Sequence, residues 1–142
     1  MLDIRSIKFV IGILKYHLTK KRIPLLVVLS VINKCNLRCI YCFGQYGERK
    51  ISDFTTEELL KIIDELSQMG TKIVSISGGE PLLRDDIGEI IKAVKRKKMI
   101  CLMNTNGLLI ERHFASLKEL DSICIGFDGN EVENDLNRGK GS

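Results

Sequence analysis

The chain of 142 residues contains no tryptophan, only two histidines and 6% aromatic residues. With so few aromatics, none are interleaved with the basic side chains, which argues against a nucleic-acid surface. A formal net charge of +4 is too small to demand a polyanionic partner. The one dense basic run, Lys95-Arg96-Lys97-Lys98, follows a helical pattern and reads as a solvated helix C-terminus. Nothing approaches the roughly 18 consecutive apolar residues of a membrane span. The longest N-terminal apolar run, residues 9–14, is interrupted by Gly12 and flanked by Lys8 and Lys15. No signal-peptide pattern opens the chain, and the cysteine count of five is odd. Both features argue against a disulfide framework and for a reducing, cytoplasmic compartment. A hydrophobic content of 44% with 28% charged residues belongs to an ordinary globular chain, of a length that makes one domain or a piece of one.

What is present is a close group of thiols. Cys35, Cys39 and Cys42 fall in the run Cys35-Asn36-Leu37-Arg38-Cys39-Ile40-Tyr41-Cys42, directly after a strongly apolar segment. Three thiolates on one loop can hold three corners of an iron–sulfur cube and leave the fourth iron open to a substrate or cofactor. Structural zinc competes with this reading, but closed zinc sites take four ligands. The loop offers no fourth, and His17 and His113 are distant in sequence. Cys101 and Cys124 differ: each sits between apolar neighbours in a strand-like pattern and reads as a small buried hydrophobe.

Residues 1–23 read as an amphipathic helix with Arg5, Lys8, Lys15, Lys20, Lys21 and Arg22 on its polar side, ended by Pro24. It can pack across one end of a domain or lie on a membrane surface, and the apolar stripe favours packing. Residues 24–142 then form the second unit. The run at 25–32 suits a strand buried on both faces. Thr55 with Glu58 makes a capping box for a helix over 55–69 that Gly70 terminates. Strands follow at 72–77, 100–104 and 122–127, separated by helices opened by Asp85-Asp86 and spanning 109–120. This alternation predicts an α/β fold with a parallel sheet. The polar, glycine-containing segments all fall after strands: the cysteine loop, Gly78-Gly79-Glu80-Pro81, Thr105-Asn106-Gly107 and Asp128-Gly129. In such folds that edge of the sheet binds ligands.

Taken together, these motifs resemble the radical S-adenosylmethionine (radical SAM) superfamily, with Tyr41 as the aromatic before the last cysteine. The likeness runs over about residues 25–142 and is closest to the branch that modifies peptides or matures cofactors. It implies a partial parallel (β/α) barrel of about four strand–helix units. It also implies a [4Fe–4S] cluster on Cys35, Cys39 and Cys42, with S-adenosyl-L-methionine chelating the fourth iron. Gly78 and Gly79 would let backbone approach that ligand, Glu80 would accept from its ammonium group, and Tyr41 would lie near the adenine. Asn106 would face the cofactor and Arg138 would pair with its carboxylate. Three of these have a plainer reading beside them: Glu80 as a helix-start carboxylate, Asn106-Gly107 as a turn, Arg138 as a solvated side chain.

The implied activity is that of a radical SAM oxidoreductase or maturase acting on an unknown peptide or cofactor precursor. Its electron donor would be a ferredoxin or flavodoxin. The chain departs from the pattern in two ways. Asn134 stands where a histidine is usual. Family cores usually have six strand–helix units, and this sequence stops where a fourth helix should begin. The expectation is a truncated product or one segment of a split enzyme, with another chain supplying the missing strands. A non-catalytic iron–sulfur-binding fragment and a structural zinc module are the alternatives.

Overall fold

Parallel strands need a crossover between each pair, and this chain supplies one helix for each. The computed structural model describes Ile7, residues 10–14, Leu18, residues 23–46 and residues 52–142. Its strands are β1 (Leu26–Ser30), β2 (Ile73–Ser77), β3 (Ile100–Thr105) and β4 (Ser122–Ile125). They pair in chain order, every pair parallel. The crossovers carry α1 (Thr56–Met69), α2 (Ile87–Arg96) and α3 (Ile110–Leu117), and α4 (Glu131–Arg138) follows β4. The result is the α/β, partial (β/α) barrel arrangement with four strand–helix units.

Local chemistry accounts for the helix ends. The Thr55 hydroxyl accepts from Glu58 N at 3.2 Å, and the Glu58 carboxylate accepts from Thr55 N at 2.8 Å. Gly70 closes α1 in the left-handed region at φ 101°. Helix α4 uses the same device: Asn130 and Glu133 exchange bonds of 3.0 and 3.1 Å. The sequence reading has the chain stop where this helix begins. Its sequence EVENDLNR carries only two apolar residues and so no apolar stripe, although the Asn130-x-x-Glu133 signal was there to be read.

The core lies between the sheet and the helices. Val74, Ile76, Cys101 and Met103 on the strands meet Ile87, Ile90, Ile91 and Val94 of α2 and Leu59 and Ile63 of α1. The opposite face is open among the described residues: Leu26 is 52% and Val28 62% exposed. The expectation that β1 is buried on both faces is therefore wrong for the face opposite the helices. Strand alternation also separates the two strand cysteines. Cys101, in register with Val74, is buried in the core, whereas Cys124, in register with Asn104, is exposed. The reading of Cys124 as a core residue fails because apolar neighbours in sequence do not reveal which face a strand position occupies. In the N-terminal segment residues 10–14 are helical, and Gly12 is buried with Leu25 close against it. The basic residues assigned to its polar side lie outside the described residues.

Arg84 ties the ends of three elements together. Its Nη1 donates to Val31 O at 3.0 Å and Phe54 O at 2.9 Å. Its Nε and Nη2 fork onto Asp86 at 2.8 and 2.6 Å, and Asp86 also accepts from the Thr56 hydroxyl at 2.5 Å. The guanidinium of Arg84, helped by Thr56, holds the Asp86 carboxyl below the usual carboxylate range. A carboxyl lowered in the folded state stabilises fully above its unfolded pKa, about 3.9, and that contribution is lost as pH falls through the folded value. Asp86→Asn is expected to lower the urea midpoint at pH 7, with a smaller gap from wild type at pH 3.

Candidate functional site

The first two strands remain paired beyond their ends. Val31 N donates to Ser77 O at 3.0 Å, Gly79 N to Ile32 O at 2.8 Å and Glu80 N to Lys34 O at 2.9 Å. The ladder reaches the residue before Cys35. A Cβ on Gly79 would fall 2.0 Å from Lys34 O, and one on Gly78 would fall 2.5 Å from Ile32 O. Gly78 also has φ 124°, a conformation that disfavours side chains. Glycine at these positions therefore admits a second protein backbone. The sequence reading assigned that space to a ligand.

Glu80 is fully buried. Its carboxylate accepts from Leu82 N at 3.0 Å, the Thr105 hydroxyl at 2.7 Å and Asn106 N at 2.8 Å. These bonds hold the end of β2 to the end of β3. An ionised carboxylate has about four lone-pair sites, and these bonds use three of them. Asn106 extends the link: its Nδ2 donates to Asn36 Oδ1 at 2.8 Å, while its Oδ1 accepts from Leu108 N at 3.1 Å. It is thus both the turn residue and a brace on the cysteine loop.

The loop itself turns tightly. Cys42 N donates to Cys39 O at 3.0 Å, Gln45 N to Cys42 O at 3.3 Å, and Leu37 N points at Cys35 Sγ at 3.5 Å. Burial pushes the Cys35 thiol up, and the Leu37 amide opposes that by favouring the thiolate. On its far side the loop docks on α4: Ile40 N donates to Asn137 O at 2.9 Å and Arg38 N to Arg138 O at 3.4 Å. These are carbonyls of the last helical turn, which need partners from outside the helix. The Tyr41 hydroxyl donates to Asp128, and Arg138 forks onto the same carboxylate at 2.8 and 3.1 Å. The hydrogen bond to Asp128 pushes Tyr41 up to about 12. Arg138, then Tyr41, hold Asp128 below the usual carboxylate range, and Asp128 in turn raises Arg138. The guanidinium lies 5.9 Å from the Tyr41 ring centre and packs against Gly126, where a Cβ would come within 2.4 Å of it. At 9% exposure Arg138 is a paired, buried cation and not a solvated one.

All nine residues singled out from the sequence line one cavity of about 420 Å³, the three thiols on one wall and the strand-end motifs on the other. Cys35, Cys39 and Cys42 are half-buried and free. Cys124 lines the same cavity. Asp128 and Asn36 were quoted from the sequence without a role; pairing across 87 and 70 residues leaves no local signal. Among the described residues, no three His, Cys, Asp or Glu side chains converge on a point where a single metal ion could sit. No helix among the described residues is long and apolar enough to cross a membrane.

Residues 29–141 match the Radical SAM superfamily, and the chain belongs to that family. It is 36% identical over 117 residues to an Fe-coproporphyrin III synthase of Methanosarcina barkeri, covering 80% of this chain and 29% of that protein. It is 40% identical over 104 residues to a probable GTP 3′,8-cyclase of Methanocaldococcus jannaschii, covering 70% and 35%. Among solved structures it resembles Streptococcus suis SuiB bound to the precursor peptide SuiA, with TM-score 0.74 and 23% identity over 95% of this chain and 31% of that one. It also resembles anSMEcpe with bound AdoMet, with TM-score 0.66 and 24% identity over 82% and 35%. The structural likenesses establish the fold. The chain spans about a third of the length of the curated relatives it matches.

Gly79→Ala tests the backbone ladder. It is expected to cost about 2–3 kcal/mol, because Lys34 O is backbone and cannot swing aside, measured by urea denaturation. Leu82→Met, a volume-conserving change in the core, should cost under about 1.5 kcal/mol.

Proposed function

We propose that this chain is the core of a radical SAM enzyme of oxidoreductase or maturase type. In this reading Cys35, Cys39 and Cys42 hold a [4Fe–4S] cluster, and S-adenosyl-L-methionine occupies the adjoining cavity. The observation that carries it is the sharing of one cavity by three free thiols and the ends of β2, β3 and β4. When bound, such a cluster supplies the electron that cleaves the sulfonium to methionine and a 5′-deoxyadenosyl radical able to abstract a substrate hydrogen.

The chain's own residues bind and orient. The remaining lone-pair site of Glu80 suits an ammonium group, and its other bonds keep it from turning away. Arg138 spends Nε and one Nη2 hydrogen on Asp128, which leaves both Nη1 hydrogens for a carboxylate. Tyr41 supplies a ring face beside them for adenine, and Asn106 holds the loop through Asn36. Residues 24–142 form this core, and residues 1–23 are a separate N-terminal segment ahead of it. The substrate class is a peptide or a cofactor precursor, supported by the named activities of the relatives. A ferredoxin or flavodoxin donates the electron, in a reducing cytoplasm that keeps the free thiols intact.

Anaerobic reconstitution with iron and sulfide should load about four of each per chain, the stoichiometry of a [4Fe–4S] centre. The combined Cys35→Ala, Cys39→Ala, Cys42→Ala variant should load none, while Cys101→Ala should load normally. Dithionite and S-adenosylmethionine should then release 5′-deoxyadenosine. Loading without release would reduce the chain to a non-catalytic iron–sulfur protein, and one zinc without sulfide would overturn both readings.

A further inference from the structure

The Asp128 carboxylate joins two separate parts of the site. It accepts from the Tyr41 hydroxyl on the cysteine loop and from Nε and Nη2 of Arg138 on α4. Its own position is fixed from behind, because its backbone N–H donates to the buried Asn134 side chain at 3.1 Å. Tyr41 lies between Cys39 and Cys42 in sequence, so holding its side chain restrains the part of the loop that carries both thiols. Arg138 lines the cavity, and its exposure of 9% makes the loss of its counter-ion costly.

We propose that Asp128 is a positioning residue of this site: one carboxylate holds the cysteine loop through Tyr41 and aims the cavity-facing guanidinium of Arg138. The backbone bonds from Arg38 and Ile40 to the end of α4 hold the middle of the same loop, and Asp128 adds a side-chain lock beside them. The inference deepens the proposed function and rests on the reading of Cys39 and Cys42 as ligands, but its test does not require a cluster.

The test is timed alkylation of the metal-free, fully reduced protein with iodoacetamide, read peptide by peptide by mass spectrometry. Cys101, buried in the core, reports whether the fold is intact. Asp128→Ala should speed modification of Cys39 and Cys42 about fivefold, the ratio set by losing roughly one net hydrogen bond, with Cys101 unchanged. Tyr41→Phe, which removes only the hydroxyl, should raise the same two rates by a smaller factor. Arg138→Lys, which cannot fork, should fall between them. Unchanged Cys39 and Cys42 rates in Asp128→Ala would overturn the proposal. If Cys101 accelerates in that variant, the milder Tyr41→Phe decides: a rise at Cys39 and Cys42 supports the lock, and wild-type rates refute it. In reconstituted protein, Asp128→Ala should keep its iron and sulfide. It should alter the change that S-adenosylmethionine makes to the electron paramagnetic resonance spectrum of the reduced cluster. A protein that never loads iron would defeat the cluster reading while leaving the alkylation result standing.

Discussion

Two backbones approach each other at the top of the sheet with no side chain between them, and the geometry of the site follows from that contact. Gly78 and Gly79 lie against Ile32 and Lys34 so closely that a Cβ on either would enter a carbonyl oxygen. The hydrogen bonds this permits carry the β1–β2 pairing up to the residue before Cys35. The first thiol therefore emerges from a ladder and not from a free loop. Arg84, bonded to Val31 O, and Asp53, bonded to Asn33 N at 2.6 Å, secure the same stretch from the helix side. With its root held, the loop has only its tip left to be placed.

Two acidic residues complete the placement, and both act by receiving hydrogen bonds. Glu80 gathers two amides and a hydroxyl and so binds the end of β2 to the end of β3. Asp128 gathers a phenol and a guanidinium and binds the loop to the end of α4. A carboxylate buried without such donors would be strongly unfavourable; with them it imposes direction on each group it accepts from. The thiols are thus supported on three sides by β2, β3 and α4, while the cavity remains open between them.

Much of this was legible in the residues. Alternating apolar runs and polar strand-end motifs report the sheet and the edge where its loops line one cavity, because side-chain burial and turn chemistry are local properties. The capping boxes at Thr55 and Asn130 are equally local, although only the first was recognised, since α4 lacks an apolar face. What was not legible depends on register and on distant pairing. The opposite fates of Cys101 and Cys124 turn on strand parity, which no neighbour in sequence encodes. The reason for glycine at 78 and 79 depends on a segment over forty residues earlier, about one strand–helix unit away. Asp128 has no local signal of a role because its partners are Tyr41 and Arg138, one 87 residues back and the other a helix ahead.

That 87-residue separation has a meaning in time. Strands that pair in chain order can each dock as they leave the ribosome, and the cysteine loop is complete with the first of them. The group that secures it follows roughly 4–17 s later at ordinary rates of synthesis. During that interval the three thiols are held at the root by whichever strands have arrived and are unrestrained at the tip. A newborn chain therefore presents its cysteine loop in a looser state than the finished protein does, at the stage when its thiols are easiest to reach.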